Sequence, residues 1–295
     1  MKKPIFTGAG VAIVTPFTED NKINYPVLKD LIEFQIENGT DAIIICGTTG
    51  EGATLEHDEH VEAIRFTVQT VAGRIPVIAS TGSNDTEYSL KLSLAAQEVG
   101  ADALLLITPY YNKASQQGLV KHFTYVADRV NIPIILYNVP SRTGCEIKPE
   151  TYAELCKHPM IYGTKEATGN LSAIAKTISL CDSDFVVYSG NDDQITAIAS
   201  LGGLGVISVL SNICPKVAHD IAQYAVDGDF KKSAELQLKY LELCDDMFMD
   251  VNPIPVKMAM NMMGMNVGGL RLPLCEMNEA NTAKLKAVLK KYELI

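Results

Sequence analysis

The 295-residue chain is predicted to fold as an α/β protein, a (β/α)8 TIM barrel followed by a C-terminal helical appendix. Three observations predict it. Short apolar runs rich in Val and Ile recur eight times in the first 208 residues. Segments with helical spacing alternate with them, at roughly 28 residues per pair, the size of a βα unit. Glycine closes several of those helices just before the next strand, as a left-handed C-terminal cap does.

The apolar runs are Gly10–Val14, Ala42–Cys46, Pro76–Ala79, Ala103–Ile107, Pro133–Tyr137, Met160–Gly163, Phe185–Tyr188 and Leu204–Ser208. Most lack polar alternation, the pattern of strands buried on both faces in a parallel sheet. Between them, Tyr25–Asn38 aligns Leu28, Leu31, Ile32 and Ile36 on one stripe. Asp58–Val71 does so with Val61, Ile64, Val68 and Val71, and Glu87–Val99 with Leu90, Leu94 and Val99. Gly39, Gly73 and Gly100 follow these helices, and Pro76 and Pro133 open strands, where a missing donor is tolerated. Eight such units argue for a closed barrel. A doubly wound open sheet is the alternative, and no GxGxxG follows the first strand to support its dinucleotide-binding form.

After the eighth run, Val217–Val226, Phe230–Met249 and Asn281–Tyr292 read as helices, with a turn at Val251–Pro255. No Ser- or Gly-rich linker precedes them. The expected organisation is a barrel over residues 1–210 with a helical region, 211–295, packed on it. The methionines clustered between Met247 and Met265 read as core filling.

Composition narrows the function classes. The net charge of −10, from 25 basic and 35 acidic residues, is a poor footing for nucleic acid, which needs clustered Lys and Arg. Apolar runs of about five residues are far short of the roughly 20 a membrane helix requires. Seven widely spaced cysteines with no CxxC argue against a disulfide framework and against a zinc site. The N-terminus lacks the apolar stretch of a signal peptide. A soluble, cytoplasmic protein with reduced thiols is expected.

In a barrel of this kind the active site lies at the C-terminal ends of the strands. There the sequence places Gly47-Thr48-Thr49-Gly50-Glu51-Gly52, Thr108-Pro109-Tyr110-Tyr111-Asn112, Tyr137-Asn138-Val139-Pro140-Ser141-Arg142-Thr143-Gly144, Lys165-Glu166-Ala167 and Ser189-Gly190-Asn191-Asp192-Asp193. Lys165 ends a short apolar strand. Burial lowers a lysine pKa, and the neutral amine attacks carbonyl carbon to form a Schiff base. The bland alternative is a lysine that snorkels to solvent or pairs with Glu166. Tyr137 stands at the matching end of the preceding strand, where a phenol moves protons if hydroxyls such as those of Thr48 and Tyr111 relay them. The Gly47–Gly50 turn, with backbone N–H groups and hydroxyls, suits a carboxylate. Arg142 suits a second carboxylate held by two hydrogen bonds. His57-x-x-His60 lacks the HExxH spacing, and a polar first helical turn accounts for its acidic neighbours.

The three motifs Gly47-Thr48-Thr49-Gly50-Glu51, Tyr137 to Gly144 and Lys165-Glu166-Ala167 resemble those of the dihydrodipicolinate synthases, also called 4-hydroxy-tetrahydrodipicolinate synthases. That family belongs to the pyruvate-dependent class I aldolase and lyase superfamily, with N-acetylneuraminate lyase. The likeness runs from Gly8 through Gly205–Ser208 into the tail. It implies condensation of pyruvate with L-aspartate 4-semialdehyde through a Schiff base on Lys165, the first committed step of lysine and diaminopimelate biosynthesis. It implies a proton relay of Tyr137, Thr48 and Tyr111, with Tyr111 reaching in from a neighbouring subunit. It further implies Thr48 and Thr49 on the pyruvate carboxylate, Arg142 on that of the semialdehyde, and Gly190 and Ile207 lining the site. No metal or organic cofactor is implied, and a homotetramer built as a dimer of dimers is.

The sialic acid lyases have serine where this chain has Thr48, and they lack the Ser-Arg-Thr-Gly segment that carries Arg142. A pyruvate lyase using another aldehyde, or an idle ligand-binding barrel, are the other readings. Some family members are inhibited by lysine at a pocket matching Gly52, Ala53, His57, His60, Asn84 and Tyr110. Where sensitive members hold a glutamate for the inhibitor's ammonium, this chain has Tyr88, so weak or absent inhibition is expected.

Overall fold

The computed structural model describes residues 2–295. Eight parallel strands close a barrel in chain order: β1 (Gly8–Ala12), β2 (Ala42–Ile45), β3 (Val77–Ser80), β4 (Ala103–Ile107), β5 (Ile134–Asn138), β6 (Ile161–Glu166), β7 (Val186–Ser189) and β8 (Gly205–Ser208). β8 pairs back onto β1, aligning Gly10 with Ile207. The open-sheet alternative is thereby excluded.

Most strands are apolar on both faces because each face meets a different core. Along β2, Ile44 points into the barrel with Phe6, Ile78, Leu105, Ile135 and Ile207. Its neighbours Ile43 and Ile45 point outward, into the layer between strands and helices. Glycines 39, 73 and 100 take positive φ as the helices before them end, at +83°, +74° and +96°.

Three boundaries differ from the sequence reading. β6 continues three residues past Gly163, so Lys165 and Glu166 lie inside the strand. Phe230–Met249 is two helices, Phe230–Lys239 and Leu241–Asp246. Tyr240 between them leaves helical geometry where its ring stacks on Tyr292, centroids 5.2 Å apart. The stretch read as a turn to Pro255 becomes helical at Ile254 and runs to Met262. Pro255 lies in the first helical turn, where a missing N–H forfeits no helical bond.

The tail is fastened to the barrel mouth by charge as well as apolar contact. Lys257, 1% exposed, donates to Glu51 Oε1 at 2.7 Å and to the Thr15 carbonyl at 3.0 Å. Arg271 binds Glu59 with both guanidinium arms, at 2.6 and 2.7 Å, and its backbone N–H donates to Glu51 Oε2. Met247 and Met260 are buried in the outer core, and Met249, Met258, Met262, Met263 and Met265 pack against it. Among the described residues, no helix is long and apolar enough to cross a membrane.

Candidate active site

Strand register decides where the reactive lysine points. Lys165 aligns with Tyr137 on β5 and with Tyr188 on β7. Both tyrosines belong to the barrel interior, so Lys165 faces inward with them. The next residue, Glu166, faces outward. Its Oε1 accepts from the Tyr152 hydroxyl at 2.5 Å and from Asn138 Nδ2 at 3.2 Å. Lys165 therefore neither snorkels nor pairs with Glu166. Its side chain is 6% exposed and its Nζ stands 4.3 Å from the centroid of the Tyr137 ring.

Burial lowers the Lys165 pKa from the ordinary 10.5 to about 8. The buried carboxylate of Asp192 opposes that shift, and the positive charge of Arg142 adds to it. Asp192 accepts from the backbone N–H groups of Val209 and Leu210, both at 2.9 Å. Burial raises the Asp192 pKa, opposed by Ser208, those two N–H groups and Lys165. Burial also raises the Tyr137 phenol, opposed by Arg142 and by a hydrogen bond with the Thr48 hydroxyl. Glu166, buried on the outer face, is pushed up to about 7.

The threonine turn presents an anion cradle. After β2, Glu51 N–H donates to the Thr48 carbonyl and Gly52 N–H to the Gly47 carbonyl, both at 3.1 Å. The N–H groups of Thr48 and Thr49 make no hydrogen bond among the described residues. Thr49 is buried and accepts from Asn252 Nδ2 at 3.0 Å. Arg142, exposed on the short helix Pro140–Thr143, donates from Nη2 to the Asn252 carbonyl at 3.4 Å. Thr48, Tyr137, Arg142 and Asn252 share the wall of one cavity of about 430 Å³.

At Gly190 the backbone of β7 passes against β6. Its N–H donates to the Glu166 carbonyl at 2.6 Å, and a Cβ there would stand 2.8 Å from that of Ala167. Only glycine fits that approach. Ile207 is fully buried in the barrel interior.

The same cavity reaches Gly52, Ala53, His60, Tyr88 and Tyr110. His60 is buried, its Nε2 lies 2.9 Å from the Ser80 carbonyl, and burial lowers its pKa to about 4. His57 meets Tyr88 edge to face at 5.9 Å. The Asn84 carbonyl accepts from Asn112 Nδ2 at 2.9 Å. Among the described residues, no three His, Cys, Asp or Glu side chains are placed to hold a metal ion. Tyr111 is absent from the cavity wall: it is 90% exposed, on backbone with φ of +71°.

Residues 5–292 match the model of the dihydrodipicolinate synthetase family. The chain is 55% identical over 289 residues to the 4-hydroxy-tetrahydrodipicolinate synthase of Caldicellulosiruptor saccharolyticus, covering 98% of each. The chain belongs to the dihydrodipicolinate synthetase family. The crystal structure of the dihydrodipicolinate synthase from Aquifex aeolicus superposes with a TM-score of 0.96 at 45% identity, covering 98% of this chain and 99% of that one. That of the chloride-inhibited enzyme from Acinetobacter baumannii, complexed with pyruvate, superposes with a TM-score of 0.96 at 40% identity, covering 98% and 99%.

Within this family frame, the structure brings Lys165, Tyr137, Thr48, Thr49 and Arg142 to one barrel mouth. Three contributors were missed by the sequence reading. Asp192 stood in a polar run with nothing to single it out. Asn252 lay in a segment read as a turn. Lys257 sat among tail methionines. A buried partner distant in sequence is what marks each of them.

Proposed function

We propose that this chain is a 4-hydroxy-tetrahydrodipicolinate synthase, which condenses pyruvate with L-aspartate 4-semialdehyde in lysine and diaminopimelate biosynthesis. The observation that carries the reading is Lys165: a buried amine inside a barrel mouth, its pKa lowered to about 8, over the ring of Tyr137. At neutral pH that shift enlarges the neutral, nucleophilic fraction roughly 300-fold.

Pyruvate enters with its carboxylate on the Thr48–Thr49 turn, and Lys165 Nζ adds to its keto carbon. Water leaves as the iminium forms, with Tyr137 carrying protons and Thr48 and Tyr111 relaying them. The iminium accepts electrons, so a methyl proton is lost and an enamine forms. The enamine carbon attacks the aldehyde of the second substrate, whose carboxylate Arg142 holds. The amine of that substrate then closes the ring on the imine carbon and releases Lys165. In this reading Gly190 and Ile207 line the site beside Lys165. No organic cofactor or metal enters this scheme.

The active form in this reading is a homotetramer built as a dimer of dimers, in the cytoplasm, with Tyr111 of one protomer serving its partner's site. The catalytic unit is the barrel, residues 1–210, with the helical region 211–295 packed on it. The cluster of Gly52, Ala53, His57, His60, Asn84, Tyr88 and Tyr110 is a vestigial inhibitor pocket.

The test is borohydride trapping of pyruvate, read by intact mass, beside turnover with L-aspartate 4-semialdehyde and with N-acetylmannosamine. Wild-type protein is expected to trap pyruvate and to turn over only the semialdehyde. Lys165→Ala is expected to fold and to lose nearly all activity. Turnover with the sugar alone refutes the acceptor assignment, and wild-type-like turnover by Lys165→Ala refutes the Schiff base.

A further inference from the structure

The tail completes the cavity wall through two short segments, Val251–Asn252 and Pro273–Leu274. Asn252 is the polar residue among these four. It is 5% exposed and touches both candidate carboxylate-binding groups. Its Nδ2 donates to Thr49 Oγ1 at 3.0 Å, across 203 residues of sequence. Its carbonyl accepts from Arg142 Nη2 at 3.4 Å, across 110 residues. Thr49 follows β2 and Arg142 follows β5, and Asn252 makes hydrogen bonds to both side chains. Asn252 Oδ1 is also buried, with no hydrogen-bond partner among the described residues. Buried polar atoms are rarely left unpaired, so an amide kept here at that cost calls for a role.

We infer that Asn252 is a positioning residue that sets the distance between the pyruvate carboxylate site and the acceptor carboxylate site. This rests on the proposed synthase reading. Its amide orients the Thr49 hydroxyl toward the first carboxylate, and its carbonyl holds Arg142 over the second. The spacing of the two charges then selects an acceptor whose aldehyde carbon falls on the enamine.

The experiment uses full-length protein with Asn252→Ala and Asn252→Asp. Pyruvate occupancy is titrated by borohydride trapping, KM is measured for both substrates, and melting is followed as a control. Asn252→Ala removes the Thr49 contact and keeps the backbone carbonyl that Arg142 binds, so it is expected to raise KM for pyruvate about 10-fold and KM for the semialdehyde less, with kcat within about 3-fold and melting little changed. Asn252→Asp keeps the side-chain shape but exchanges the donor for an acceptor-only carboxylate. Here it is expected to weaken pyruvate trapping more than Ala does, because an anion then faces the incoming carboxylate. If Asn252→Ala does not fold, Asn252→Ser takes its place with the same expectation. Unchanged KM for pyruvate, or wild-type trapping by Asn252→Asp, overturns the inference while the synthase reading stands. Wild-type protein that neither traps pyruvate nor consumes the semialdehyde overturns that reading, and this inference with it.

Discussion

Lys165 and Glu166 are adjacent, and opposite faces of one strand give them opposite fates. Lys165 faces the barrel interior, where desolvation lowers its pKa to about 8. Glu166 faces the helices, where burial raises its pKa to about 7 and Tyr152, Asn138 and Thr168 oppose the rise. The sign for Lys165 follows: below its pKa the group is an ammonium and cannot attack. Imine formation, followed by rapid-quench borohydride trapping, is therefore expected to rise about tenfold per pH unit up to about pH 8 and to flatten above it. A rise that continues past pH 9.5 would mean an unperturbed lysine. Asp192 is the anion that favours the charged form, so Asp192→Asn is expected to move the inflection to lower pH. That residue is unremarkable in sequence because its effect depends on strand neighbours, not on chain neighbours.

At the scale of the element, the turn after β2 is held by the tail. Glu51 sits at its end with φ of +53°, 3% exposed, between Lys257 and the Arg271 backbone. Removing one partner of a buried pair strands the other charge, at about 3–5 kcal/mol. Lys257→Met is expected to lose that much in urea unfolding with an unchanged slope, and to weaken pyruvate trapping through Thr48 and Thr49. Pairing it with Glu51→Gln is expected to restore most of the stability, since no charge is then left alone. A second prediction concerns the turn's other side. Glu87, next to Tyr88, accepts the Tyr125 hydroxyl at 2.7 Å and so is committed away from the pocket. With Tyr88 uncharged and Glu87 engaged, lysine at micromolar concentration is expected to leave initial rates unchanged. Half-inhibition in that range would restore the pocket as a regulatory site.

For the whole molecule, the question is whether one chain contains a complete site. Tyr111 is 90% exposed and outside the cavity, although it is proposed for the proton relay. If it serves a partner's site, two inactive variants complement each other. Lys165→Ala and Tyr111→Phe, each nearly inactive alone, are expected to regain roughly a quarter of wild-type activity when unfolded and refolded together, through mixed pairs carrying one intact site. No recovery, alongside mass measurements showing mixed oligomers, would place Tyr111 outside the relay. The same scale explains the tail. Its helices bury apolar faces on the barrel, and its loops close the mouth over residues more than 100 positions away in sequence.

Much of this was legible in the residues. Eight runs apolar on both faces allow little else than parallel strands with covered faces, and their spacing dictates the crossover helices. The glycines that end the helices and the hydroxyl, tyrosine, arginine and lysine motifs at the strand ends were likewise readable, because each is a local pattern. The ends of β6 and the helix Ile254–Met262 were not. Lys165 and Glu166 look like the end of a strand until partners bury them, and proline near a helix start looks like a turn. The direction of Lys165, the anion at Asp192, the Glu51–Lys257 pair and the two-sided contact of Asn252 were decided only by tertiary structure. Each depends on which groups lie within a few ångströms, and tertiary packing brings together residues that the chain keeps more than 200 positions apart.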